Sequence, residues 1–234
     1  MISKFYGPFF SILQKCVRKI YPKYTTQIPD HIDEPVVFVS HHQNLFGPFV
    51  ILLWFPKSLH AWMLHVFLDR EACFKQYVDY TFTKRFGWNI ILAKIWAYPI
   101  SYFITALLNS GKGIPVYRGS RKILETFHLS IDALNRGESI VLFPDIQYSD
   151  PSAATTEMYD GFLYLEKYYY KATGKHVLFV PLYASKRRHV IIADRQITFR
   201  DGKDFNSERK TVLGEIHDHL NELAKKCGDI HLER

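Results

Sequence analysis

The chain has 234 residues, enough to bury a sizeable core, and its 47% hydrophobic and 23% charged composition excludes a disordered segment. Thirty Lys and Arg against 23 Asp and Glu leave a net charge of +7, which favours an anionic partner: nucleic acid, anionic lipid headgroups or an acidic carrier. The basic residues are dispersed and form no recognised nucleic-acid motif, which argues against the first. Cys16, Cys73 and Cys227 are odd in number and far apart, so neither a disulfide framework nor a zinc site is indicated. Phe and Tyr dominate a 16% aromatic share, a composition that suits contact with a membrane surface.

In chain order, residues 8–20 read as an amphipathic helix opened by Pro8. Phe9, Ile12, Leu13, Cys16 and Ile20 share its apolar face, and Lys15, Arg18 and Lys19 flank it. This pattern fits a helix lying in an anionic interface, or one packed on the domain. Turn signals at Ile28–Pro35 precede a β-branched strand, Val36–Ser40, followed by a loop over His41–Phe46 and an apolar helix over Gly47–Phe55. Leu59–Leu64 reads as a strand and Arg70–Arg85 as a helix.

Residues 88–108 approach the length of a membrane span with only Lys94 charged. Lys94 and Pro99 in the interior favour a bent, half-immersed or buried hydrophobic hairpin instead. Strands over Ile114–Tyr117, Ser139–Phe143, Val177–Leu182 and Val190–Ala193 then alternate with helices over Arg121–Asn135, Met158–Thr173 and Glu208–Lys226. Gly137, Gly174 and Gly228 stop those helices.

This alternation predicts an α/β fold: a mostly parallel central sheet flanked by helices, with an N-terminal amphipathic helix (1–24) and a single domain over 25–234 that carries a hydrophobic helical insertion at about 86–110. Ligands of such sheets gather beyond the carboxyl ends of the strands. His42, Arg118 and Asp145 each follow a strand closely, so they are candidates to meet on that edge.

Four segments in order resemble the motifs of the lysophospholipid acyltransferase family, which includes the 1-acylglycerol-3-phosphate acyltransferases. They are His41-His42-Gln-Asn-Leu-Phe-Gly47, GIPVYRGS with Arg118, FPDIQYS at 143–149, and Val180-Pro181-Leu182. The resemblance covers residues 36–185. It implies an O-acyltransferase that moves a fatty acyl group from an acyl thioester, acyl-CoA or acyl-carrier protein, to the hydroxyl of a lysophospholipid-like acceptor. No bound cofactor or metal is implied. The expected location is the cytoplasmic side of the cell membrane, held monotopically on anionic lipid, with a transmembrane passage over 88–108 as the alternative.

Within that resemblance His42 is the general base, since neutral imidazole can take a hydroxyl proton near pH 7. Arg118 is the clamp for the acceptor's phosphate, with Gly119, Ser120 and Asn44 as further substrate-binding positions. Two departures from the family pattern stand out. Gly47 occupies the place of the motif Asp that orients the histidine, and Asp145-Ile146 replaces Glu-Gly in the third segment. Asp145 is therefore expected to supply the missing carboxylate to His42, with Gln43, Asn44 or His41 as weaker substitutes. The plainer alternatives are that His42 caps the helix after it and that Asp145 braces its own loop. A non-catalytic lipid-binding relative, which lost turnover with the motif Asp, is the competing function.

Overall fold

The computed structural model describes residues 5–30, 32 and 35–230; residues 31, 33 and 34 of the turn-rich stretch lie outside that description. In chain order the elements are α1 (Pro8–Ile20), β1 (Thr25–Gln27), β2 (Val37–Ser40), α2 (Phe46–Trp54), β3 (Leu59–Leu64), α3 (Arg70–Gln76), α4 (Ile90–Ser110), β4 (Ile114–Val116), α5 (Ile123–Asn135), β5 (Ser139–Leu142), α6 (Tyr164–Thr173), β6 (Phe179–Ser185), β7 (Val190–Ala193) and α7 (Phe205–Cys227). They fall into two compact units: Met1–Cys16 with His60–Thr126, and Val17–Leu59 with Phe127–Arg234.

The larger unit holds the α/β core. Its strands run in the order β1-β7-β6-β2-β5, and every pairing is parallel except β6 with β7. Strands β2, β5 and β6 are buried along their whole length, which explains why they read as continuous apolar runs rather than alternating ones. Helix α7 buries Val212, Ile216, Leu220 and Leu223, one stripe at helical spacing, and Leu223 packs with Tyr183 of β6 and Val190 of β7. Each fully buried aliphatic side chain of this kind contributes about 1.5–3 kcal/mol.

The smaller unit pairs β3 with β4 in parallel, Trp62 opposite Ile114 and Leu64 opposite Val116. Around α4, Ala93 and Ala97 pack on Val78 and Phe82. The start of α1 is tied to the end of α4 by the Gly7 N–H to the Ser110 carbonyl, 2.7 Å, and the Phe10 N–H to Ser110 Oγ, 2.9 Å.

Several elements differ from the sequence expectation, each for a local reason. The apolar stretch forms one continuous helix, α4, capped by Asn89, and not a hairpin: Pro99 removes one N–H but does not reverse the chain. The helix expected over Arg70–Arg85 stays α-helical only to Gln76 and continues as a π-helix over Tyr77–Arg85. There Thr81 and Thr83 turn their hydroxyls back to the carbonyls of Gln76 and Val78, five residues earlier, which favours the wider turn. Met158–Leu163 does not open an α-helix: Met158 bridges to Asp145 and Asp160–Leu163 is a 3-10 turn. Helix α7 begins three residues early because Asp204 caps it, accepting from the Ser207 N–H at 2.9 Å. The short strand β1, absent from the sequence reading, adds to the sheet beside β7. Three residues are too few to show strand periodicity.

One polar cluster ties α6 to the entry of β6. Buried Glu166 accepts from the Val177 N–H at 2.7 Å and lies 2.6 Å from His176 Nδ1, while Asp201 lies 3.1 Å from His176 Nε2. Burial works against a charged imidazole here. The two carboxylates, the hydrogen bond to Glu166 foremost, outweigh it and raise His176 above 6.5. A raised folded-state value adds stability that is complete below the unfolded value and lost as pH rises through the folded one. Thermal melts from about pH 5.5 to about pH 9 should therefore show a melting temperature that declines above the unfolded-state value. His176→Gln should remove that component of the slope; an unchanged slope in the variant would show that His176 does not carry it.

Candidate active site

The centre of the site is set by strand register. Strands β2 and β5 are parallel neighbours with Val39 opposite Leu142. Three residues beyond this pair the chain reaches His42 on one strand and Asp145 on the other, both at the carboxyl edge of the sheet. Asp145 is buried, and both of its carboxylate oxygens are engaged. Oδ1 lies 2.5 Å from His41 Nδ1, and Oδ2 accepts from the His42 main-chain N–H at 2.8 Å. His41 is also buried, at 3% exposure, and its Nε2 is 2.9 Å from the Ser152 carbonyl.

These contacts fix donor and acceptor roles. A carbonyl oxygen only accepts, so His41 Nε2 carries a hydrogen. A single proton lies between His41 Nδ1 and Asp145 Oδ1, in a charge-assisted contact of the strong class. Both ring nitrogens of His41 are thus committed, and this histidine serves as a strut between the β5 end and the segment after it. That segment is itself tied back: the Ile146 N–H donates to the Glu157 carbonyl at 3.0 Å and the Tyr159 N–H to the Pro144 carbonyl at 2.7 Å.

His42 is half-buried, with its ring set edge-on to those of Phe143, at 6.0 Å, and Tyr148, at 5.9 Å. Its Nδ1 accepts from the Leu45 N–H at 3.0 Å. In the neutral ring the hydrogen therefore sits on Nε2. The loop that makes this bond is unusual: Gln43, Asn44 and Leu45 are consecutive non-glycine residues at φ 45°, 50° and 73°. Left-handed residues of this kind cost about 1–3 kcal/mol each unless the surroundings fix them. Here Gln43 Nε2 donates to the Ala184 carbonyl at 3.2 Å, and the Gly47 N–H donates to the His42 carbonyl at 3.1 Å.

Gly47 belongs to the same construction. A Cβ placed there would lie 2.1 Å from the His41 carbonyl oxygen, so the close approach of α2 to the strand end admits no side chain. An aspartate at this position would require the loop to be rebuilt. The glycine is thus required by the geometry of this loop.

The site residues expected from sequence divide accordingly. His42 and Asp145 come together, but the carboxylate holds the His42 backbone and the His41 ring, and the His42 ring turns to Leu45. Asn44 is exposed on the left-handed loop. Arg118, Gly119 and Ser120 belong to the smaller unit, where they form an exposed turn between β4 and α5; Gly119 has φ 69°, and Ser120 Oγ accepts from the Lys122 N–H at 3.2 Å. His41 carries more of the geometry than its sequence suggested. The signal was its position one residue past a wholly buried strand, where a polar ring must find partners. Its second partner, a backbone carbonyl, has no sequence signature.

Two other features lie apart from this edge. A cavity of about 430 Å³ lined by Pro35, His176, Val177 and Thr198 sits at the amino ends of β2 and β6. Asp194, His219 and Glu222 gather their ligand atoms within 4.8 Å of one another, with His219 Nδ1 2.9 Å from Asp194. As an ion pair, this contact ties the end of β7 to α7.

The sequence matches no known family profile and no curated protein. In three dimensions the chain is similar to the crystal structure of the 1-acyl-sn-glycerophosphate (LPA) acyltransferase PlsC from Thermotoga maritima, with 12% identity and a TM-score of 0.46. The match covers 92% of this chain and 77% of that one.

The bridge predicts a contrast between two substitutions of one residue. Asp145→Ala leaves the buried His41 ring and the His42 N–H without their partner, a loss of about 3–5 kcal/mol. For a chain of this size that lowers the melting temperature by roughly 6–20 °C. Asp145→Asn can accept from His42 and donate to a neutral His41, so its melting temperature should fall by less than half as much. Equal losses in calorimetry would contradict the bridge.

Proposed function

We propose that the chain is an O-acyltransferase that moves a fatty acyl group from an acyl thioester, on coenzyme A or an acyl carrier protein, to the hydroxyl of a lysophospholipid-like acceptor at the cytoplasmic face of a membrane. The observation that carries the reading is the Asp145 bridge. It fixes a histidine-bearing strand end beside the third motif-like segment at the carboxyl edge of the sheet, where α/β folds bind their ligands. The order of four motif-like segments along the sequence supports it.

The reaction asks for one proton carrier. The acceptor hydroxyl oxygen attacks the thioester carbonyl carbon and its proton passes to His42. The tetrahedral intermediate then collapses, the carbon–sulfur bond breaks, and the departing thiolate takes the proton back. In the neutral ring Nε2 already holds a hydrogen, so the acceptor hydroxyl must replace the Leu45 N–H at Nδ1, by movement of the loop or rotation of the ring. Asp145 acts as a positioning residue through the His42 backbone. Phe143 and Tyr148 give the imidazole an aromatic flank. Arg118, with Gly119, Ser120 and Asn44, is assigned to the acceptor by the motif resemblance.

A second reading has an observation of its own. The engaged Nδ1 and the side-chain-free Gly47 also suit a non-catalytic lipid-binding relative. Labelled acyl-CoA and acyl-carrier donors, offered with a panel of detergent-dispersed lysophospholipids, separate the two. The enzyme reading predicts transfer that His42→Ala reduces by about 10²–10⁴-fold. It also predicts that Arg118→Ala mainly raises KM for phosphate-bearing acceptors, by roughly 10-fold or more. Transfer no greater than that of His42→Ala on every acceptor would overturn the enzyme reading in favour of the binding protein.

A further inference from the structure

Helix α4 is arranged opposite to a soluble helix. Its buried positions are the small ones, Ala93, Ala97 and Ser101, and they lie on the face that packs on Val78 and Phe82. Its large apolar residues point outward: Ile91, Leu92, Ile95, Trp96, Tyr102 and Phe103 are all exposed, Ile91 to 68%. At 3.6 residues per turn these six fall within an arc of about 140°. No charged side chain lies inside that arc; Lys94 falls about 60° outside it, next to Ser101 around the helix. Within the same unit Phe9 of α1 stands edge-on to Phe103 at 5.6 Å, and Phe86 and Trp88 before α4 are exposed as well, so the apolar surface extends beyond the helix. Water is a poor solvent for a patch of this extent.

Charge selects among the occupants. Between Asp79 and Glu125 the chain carries seven lysines and arginines and no acid, matching the +7 net charge of the whole protein. Lys84 and Arg85 immediately precede the exposed aromatics, and Arg70 stacks on the ring of Tyr102 at 4.1 Å. Exposed apolar side chains with Trp and Tyr among them, in a segment whose only charges are cations, match the boundary between headgroups and acyl chains of an anionic bilayer. A second copy of the chain would bring the same positive charge against itself.

We infer that α4 docks this unit on an anionic phospholipid bilayer by lying half-immersed in one leaflet, with its alanine face kept on the protein. Although α4 has the length and composition of a membrane-crossing helix, its packed face is protein-bound, so only one side meets lipid. The inference deepens the proposed function by naming the surface on which the enzyme works, and it rests on that reading only for the choice of lipid as substrate.

The test is flotation of the full chain with vesicles of phosphatidylcholine alone and of phosphatidylcholine with phosphatidylglycerol at roughly 3:1. The expected result is binding to the mixed vesicles that is at least about 10-fold tighter than to the neutral ones. The variant Ile91→Ser/Ile95→Ser/Trp96→Ser should lose at least about 10-fold in partitioning without a lower melting temperature, because these side chains make surface and not core. In the wild type, Trp fluorescence should be quenched strongly by lipids brominated near the headgroup and weakly by lipids brominated near the chain end. Three outcomes would overturn the inference: a wild type that floats with neither vesicle, a dimer in solution that the triple variant dissolves, or stronger quenching from the deep bromines. Vesicle binding without acyl transfer would overturn the enzyme reading alone, whereas transfer to detergent-dispersed acceptor without vesicle binding would overturn the docking surface alone.

Discussion

The Asp145 carboxylate is the constraint on which the site depends. Two parallel strands end side by side, and at that point the sheet can no longer pair their backbone groups. One buried carboxylate takes over, binding a backbone N–H of one strand end and an imidazole of the same segment. The imidazole passes the connection on to the Ser152 carbonyl, so the strand ends and the following segment are one hydrogen-bonded piece. A buried charge is expensive unless both oxygens are satisfied, and here they are. The same condition makes the piece rigid.

That rigidity shapes what His42 can do. Its backbone is held by Asp145, while its ring is held by its own loop, three left-handed residues closed by the Leu45 N–H to Nδ1 bond. In an orienting dyad the carboxylate would sit on one ring nitrogen and leave the other as base. Here a backbone N–H occupies the basic nitrogen, and the absent side chain at Gly47 is what lets the loop come close enough to do so. In the proposed reaction the acceptor hydroxyl would have to displace that bond, which would couple use of the histidine as a base to movement in residues 43–45.

Much of this was legible in the sequence. The core strands β2, β5 and β6 were readable because wholly buried strands are unbroken apolar runs, and helix α7 because it keeps a clean stripe over Val212, Ile216 and Leu220. The proximity of His42 and Asp145 followed from strand order and from the position of each beyond its strand. The partners within that contact did not. Whether a carboxylate takes the ring of His41, the ring of His42 or a backbone N–H depends on register to within one residue, and Leu45 and Ser152 contribute only backbone atoms. The π-helix at Tyr77–Arg85 was hidden for a related reason, since its cause is a pair of threonine hydroxyls reaching five residues back. The hairpin expected over 88–108 rested on Lys94 and Pro99, neither of which reverses the chain, and composition does not report which way the large side chains of α4 face.

The central claim concerns where protons and hydrogen bonds sit on two adjacent histidines, and nitrogen-15 NMR of the imidazole rings reads it directly. In the neutral state His42 should appear as the tautomer with hydrogen on Nε2 and an accepting Nδ1. His41 should show hydrogen on Nε2 and a strongly deshielded proton at Nδ1 that disappears in Asp145→Ala. A His42 ring protonated at Nδ1 with a bare Nε2, or a His41 spectrum indifferent to Asp145, would contradict the account.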